Sequence, residues 1–251
     1  MTARFFSTRS RPVHMGPYPA EHLQRTEAAP GAAAIPPMTA LQFDRPDDPR
    51  SIVMAMRDYM ATLDAIREGP VNPAKAEVPD DPRARAEHLK AFGHFCDAAL
   101  VGCCAVTPAD RLERPIRNPD IARLSEDIRT RQTKTLASGI DLIMADLKEA
   151  METPPGPIDG QDHCIVLLYE NPREPRADES GTRWIRGASA HRAALLAAET
   201  AVVIAQYLRH LGYAARAHSA ATSDLDLNRL AVAAGLLQVT ADQHRFRAVP
   251  R

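Results

Sequence analysis

The chain has 251 residues, 45% hydrophobic and 25% charged, enough apolar material for a proper core in one large domain or two small ones. Lys plus Arg number 31 against 32 Asp plus Glu, a net charge of -1 that gives no electrostatic reason to expect nucleic acid or an anionic membrane as partner. No apolar run approaches the roughly 20 residues that a membrane span needs, which points to a soluble protein without a membrane partner.

Residues 1–47 are rich in Pro, Ala and Arg, with prolines at 12, 17, 19, 30, 36, 37 and 46, a composition that favours an extended arm over a helix. Phe5, Phe6, Met15, Tyr18, Met38, Leu41 and Phe43 give the arm several apolar points with which to lie against a body. Arg4, Arg9 and Arg11 among hydroxyl residues have the composition of an organelle transit peptide, but no apolar h-region follows and a cytoplasmic location is expected.

Residues 48–237 read as an α/β module in which helices pack around a small sheet. Three helices are predicted to start from one device, a side-chain cap followed by Pro: Asp48-Pro49, Asp81-Pro82 and Asn118-Pro119. The first carries Ile52, Met56, Tyr59, Met60, Leu63 and Ile66 on its apolar side and stops at Gly69-Pro70. The second carries Leu89, Phe92, Phe95 and Cys96 and leads into a strand over Ala99 to Val106. The third shows Ile121, Leu124 and Ile128, loses its pattern, and recovers it from Leu136 to Met151 after a kink near Ser138-Gly139.

A second strand is predicted over His163 to Tyr169, a continuous apolar run of the kind found in strands covered on both faces. After a polar loop, Ser189 to Leu211 is apolar almost all round, with a polar stripe only at Arg192, Glu199 and Gln206, so this helix should be sandwiched between other elements. Gly212 supplies a left-handed stop, Tyr213 to His218 returns as a third strand, and Asp224 is placed to cap the next helix, which ends at Ala234-Gly235-Leu236. Residues 238–251 form an irregular tail.

Local chemistry is sparse. Neither a G-x-G-x-x-G nor a Walker loop nor a G-x-S-x-G elbow is present. Cys96, Cys103, Cys104 and Cys164 lack C-x-x-C spacing and read as small core hydrophobes rather than metal ligands. Two places remain. Arg186, Ser189 and His191 lie at the start of the long helix, where free N–H groups can receive a phosphate or carboxylate; the plainer reading makes Ser189 an N-cap and His191 a solvent-facing residue. His218 and Ser219 lie at the end of the third predicted strand, where ligands collect in open α/β sheets; the plainer reading is a hydrogen-bonding residue at a sheet edge.

The segments AETAVVIAQYLRHLGYAARAH and LNRLAVAAGLL resemble the corresponding stretch of the corrinoid-dependent reductive dehalogenases and, more distantly, of epoxyqueuosine reductases. The opening RFFSTRSRPVHMGPYPAEHL and the segment FGHFCDAALVG are similar to the soluble, catabolic branch of the dehalogenases, so the likeness runs over most of the chain. It implies a cobalamin cofactor, an organohalide substrate such as a halogenated phenol, and Arg186, Ser189, His191, His218 and Ser219 as candidate cofactor contacts. It implies no histidine ligand to cobalt. Family members carry, after the AGL helix, a cobalamin core with a catalytic Tyr and then two cysteine-rich motifs for four-iron, four-sulfur centres; this sequence instead runs through QVTADQHRFRAVPR. The expectation is an amino-terminal corrinoid module, truncated or split, without iron-sulfur clusters, not catalytic alone, with a downstream catalytic polypeptide as partner. The alternative is a free-standing, non-catalytic α/β protein that binds a ligand or partner chain.

Overall fold

The computed structural model describes residues 13, 16, 35–41, 50–132, 149, 156–239 and 246–248. Among them the helices are α1 (Val53–Ala65), α2 (Pro82–Phe95), α3 (Asp120–Gln132), α4 (Thr182–Ile185), α5 (Ser189–His210) and α6 (Leu227–Ala233). The strands are β1 (Leu100–Ala105), β2 (Arg111–Ile116), β3 (His163–Leu168), β4 (Ser223–Leu225), β5 (Leu237–Val239) and β6 (Phe246–Ala248), joined as the antiparallel pairs β1-β3, β2-β4 and β5-β6. The chain is thus α/β, with helices around small sheets.

Two of the three predicted helix starts appear where the caps place them. Asp81 accepts from the Arg83 amide at 3.0 Å with Pro82 in the first turn, and Asn118 Oδ1 accepts from the Asp120 amide at 2.9 Å. Helix α1 differs: it starts at Val53, after Ile52, which supplies no side-chain cap, and Asp48-Pro49 lies outside the described residues. Its buried face is also rotated from the apolar pattern. Met60 and Leu63 are buried, but Ile52, Tyr59 and Ile66 are exposed, and Arg57 and Asp64 go inward instead. They are tolerated there because they are paired; Arg57 Nε and Nη2 donate to Asp120 Oδ2 at 2.9 and 2.6 Å, tying α1 to α3. The predicted kink near Ser138-Gly139 and the pattern beyond it lie outside the described residues.

Strands β1 and β3 run in register from Leu100 opposite Leu168 to Ala105 opposite His163. Both faces are covered, as the continuous apolar run implied. On one face α2 comes so close that a Cβ on Gly93 would lie 2.7 Å from Val101 Cγ2 and 2.9 Å from Leu167 Cδ2. On the other, Val166, Cys104 and Cys164 pack with Leu230, Ala231 and Leu236 of the α6 region. Helix α5 forms the second core with α1, through Met60, Leu63, Leu195, Ala198, Val202 and Ala205. Its exposed side carries Arg192 and Gln206 as predicted, but also Val203 and Tyr207.

The helix stop is as expected: Gly212 has φ +87°, and its amide and that of Tyr213 bond the Arg209 and Leu208 carbonyls at 3.0 Å. A side chain there is also excluded by space, since a Cβ would fall 2.6 Å from the Ala74 carbonyl oxygen. The strand predicted over Tyr213 to His218 does not form. The Ala217 amide donates to the Arg67 carbonyl at 3.0 Å and the Ala215 carbonyl accepts from Arg209 Nη1 at 3.0 Å, so these backbone groups bond loop and side-chain partners rather than a neighbouring strand. The strand comes later, as β4, pairing with a strand the sequence pattern hides: β2, RLERPI, has too few apolar residues to announce itself. Asp224 lies within β4 and caps nothing; Asp226 is the N-cap of α6, accepting from the Asn228 and Arg229 amides at 3.0 and 3.2 Å. Arm residues 36–41 lie on this end of the body, with the Leu41 amide bonded to the Ala220 carbonyl at 2.9 Å and Asn228 Nδ2 to the Pro36 carbonyl at 3.2 Å.

Candidate functional site

The end of α1, the loop before α3 and the segment from Arg216 to Asp224 converge on one carboxylate. Asp224 Oδ1 accepts from Arg117 Nη2 at 2.7 Å, and Oδ2 accepts from Arg216 Nη1 at 3.0 Å and Arg67 Nη1 at 3.2 Å. Arg216 also donates through Nη2 to Glu68 Oε2 and to the Gly156 carbonyl, each at 2.6 Å. Burial alone would raise the Asp224 carboxyl, but the Arg117 hydrogen bond and the charges of Arg67 and Arg117 outweigh it and hold it at about 2. Arg67 is depressed by burial, with Asp224 opposing.

His218 is built into this cluster. Its Nδ1 accepts from the Asp224 amide at 3.3 Å, which fixes the ring proton on Nε2 and the neutral tautomer. Burial, with the nearby Arg67, Arg216 and Arg117 guanidiniums, pushes it down to about 4 against the pull of Asp224. Ser219 sits one layer deeper. Its Oγ donates to Asp64 Oδ1 at 3.1 Å and accepts from the Thr222 amide at 3.1 Å, closing the tight loop that turns the chain into β4. Asp64 is pushed up by burial while Asn118, Thr222 and Ser219 hydrogen bonds oppose.

His218 and Ser219 border a largely apolar cavity of about 770 Å³, which runs between β3, the alanines of α5 and the segment Tyr213 to Ala220. Arg186, Ser189 and His191 do not line it. Ser189 is the first residue of α5 rather than its N-cap; Ala188 holds that position. The helix start does attract a carboxylate, but the chain supplies it: Glu174 accepts from Ser189 Oγ and, at 3.0 Å, from the Gly187 amide, and these bonds lower its carboxyl. Arg186 is exposed after α4, and His191 is buried rather than solvent-facing.

Sequence reasoning found His218 and Ser219 but missed Arg67, Arg117, Arg216 and Asp224. These come from three separated stretches, and no local spacing joins them. The four cysteines are half-buried, and Cys104 and Cys164 pack against the core of the α6 region. Burial pushes the Cys104 thiol up to about 11 and the Cys164 thiol up to about 12, so neither offers a thiolate, and among the described residues no group of three or more His, Cys, Asp or Glu could hold a metal ion. Among the described residues no helix is long and apolar enough to cross a membrane.

No family model and no curated protein matches the chain. Among solved structures it is similar to the catabolic reductive dehalogenase NpRdhA, with 30% identity and a TM-score of 0.68 over 97% of this chain and 28% of that one. The same figures hold for that enzyme in complex with 3-bromo-4-hydroxybenzoic acid and for a reductive dehalogenase structure that suggests a mechanism for B12-dependent dehalogenation. The chain therefore spans 28% of the length of the relatives it matches.

Proposed function

We propose that this chain, which has a reductive dehalogenase-like fold, works as one module of a corrinoid-dependent reductive dehalogenase and catalyses nothing alone. The observation that carries the reading is the asymmetry of the match, 97% of this chain against 28% of the relative. Organohalides such as halogenated phenols are the substrate class we assign to the completed enzyme, in keeping with the bromohydroxybenzoate bound by the relative.

Cobalamin is the cofactor this reading implies, and when bound it supplies the cobalt centre at which the carbon–halogen bond is reduced. The described residues fit a wall of such a site rather than a closed one. Ser189 and Ser219 spend their hydroxyls on Glu174 and Asp64, and His218 Nδ1 is occupied by the Asp224 amide. What remains for the cofactor is the neutral His218, which can donate through Nε2 but stays uncharged at neutral pH. Iron-sulfur centres have no ligand set among the described residues, where no group of three or more His, Cys, Asp or Glu could hold a metal ion. We assign the clusters, and the proton donor for the dehalogenated carbon, to the part of such an enzyme that lies outside the matched stretch.

The test is halide release from 3-bromo-4-hydroxybenzoic acid by the purified 251-residue chain, with added cobalamin and a strong one-electron donor. The expected result is none. Turnover by the chain alone would overturn the modular reading. The largely apolar cavity favours a second reading, a free-standing ligand-binding protein, for which halide release would also be absent but a tight small-molecule complex present.

A further inference from the structure

The backbone on the two banks of the cavity follows a pattern that the isolated chain does not use. On β3, the Asp162 and Leu168 carbonyls accept from the Val106 and Ala99 amides of the β1 side, both at 2.8 Å. Alternation along a strand then turns the amides and carbonyls of His163, Ile165 and Leu167 to the opposite edge. There the Ile165 carbonyl receives only a Cys164 thiol at 3.6 Å, and β3 has no second strand neighbour among the described residues.

On the other bank, Tyr213, Ala215, Ala217 and Ser219 in turn bond the body. Their partners are the Leu208 carbonyl, Arg209 Nη1, the Arg67 carbonyl and the Thr222 carbonyl, at 3.0, 3.0, 3.0 and 2.8 Å. Bonding by every second residue is the signature of an extended strand, although no ladder is present. It turns the amides of Ala214, Arg216 and His218 the other way. Both banks border the same cavity, whose floor is the small-residue face of α5 at Ala194, Ala197 and Ala201.

We infer that this cavity is a slot for one extended, largely apolar strand from the part of such an enzyme outside the matched stretch, which pairs with β3 on one side and with Tyr213 to His218 on the other. The strand pattern over Tyr213 to His218, without a neighbouring strand among the described residues, is then met in the completed enzyme. Six residues of β3 span about 20 Å of edge. A small molecule would leave most of these donors and acceptors unsatisfied, whereas a strand satisfies both rows at once. The occupant is taken from outside the matched stretch because this chain spans 28% of the length of the relatives that share its fold. The inference rests on the modular reading above.

The test is amide-resolved hydrogen exchange on the 251-residue chain, alone and co-expressed with the part of the solved catabolic dehalogenase that lies outside the match. Alone, Cys164 and Val166 should exchange slowly and Ile165 and Leu167 fast. In the complex, the Ile165, Leu167, Ala214, Arg216 and His218 amides should slow by at least about tenfold, with Cys164 and Val166 unchanged. Ala214→Pro and, on the other bank, Ile165→Pro remove an amide not used within the chain, and each should weaken the complex while leaving the chain folded. If Ile165 and Leu167 are already protected in the chain alone, or a complex forms without slowing them, the strand inference fails and the modular reading stands. If no complex forms, both fail.

Discussion

His218 and Asp224 make opposite demands on pH. The folded His218 sits at about 4 against its ordinary 6.5, so between those values the unfolded chain binds a proton that the folded chain refuses. Stability should therefore fall as pH drops from about 6.5 to about 4, by on the order of 3 kcal/mol in total. Asp224, held at about 2 against an ordinary 3.8, contributes stability that is complete above that ordinary value and is lost only as pH falls through about 2. Urea unfolding of the native chain and of His218→Gln across this range separates the two. The variant should lose the upper window and keep the lower, and identical pH slopes would contradict the placement of His218. Asp224→Asn leaves Arg67, Arg117 and Arg216 without their shared counter-charge and should cost about 3–5 kcal/mol in the same assay. None of the three arginines was legible as a site residue, because a buried ion cluster is assembled by tertiary structure and each member looks locally like a surface charge. His218 and Ser219 were singled out as the end of a strand over Tyr213 to His218, a strand that does not form among the described residues.

Elements were read well where a backbone constraint is local. The Asp81 and Asn118 caps, the Gly212 stop and the apolar runs of β1 and β3 each depend on a few neighbouring residues, and each lies where the pattern put it. Gly212→Ala tests the most constrained of these. It combines a left-handed φ with a Cβ 2.6 Å from a backbone oxygen, so a loss of at least about 2 kcal/mol is expected in thermal or urea unfolding, and a neutral result would mean the α5 end is placed wrongly. The misreadings share a cause at the same scale. Helix α1 turns charges inward because Asp120 of α3 pairs with Arg57 while Asn118 and Ser219 hold Asp64, so apolar periodicity gave the wrong face. Strands β2 and β4 are short and polar and exist through each other, a pairing no window of sequence contains. Tyr213 to His218 has the composition and the alternating bonds of a strand but no strand beside it.

At the scale of the molecule, α5 packs with α1 in one core and α6 with the β1-β3 pair in the other, and the cavity beside α5 is bordered on two sides by backbone that lacks a strand partner on that side among the described residues. Such a chain resembles a body from which a layer has been lifted. The sequence likeness to the dehalogenases and the structural match agree on the family of the fold, and the 28% share of the relative's length sets what the module is expected to lack. An isolated wall of a cofactor site carries the full cost of association while making a fraction of the contacts, so its affinity should be weak. Titration of the 251-residue chain with cobalamin, followed by visible absorbance, tests this most directly: the account predicts no tight complex for the chain alone, and a submicromolar dissociation constant would contradict it by making the chain a complete corrinoid-binding protein.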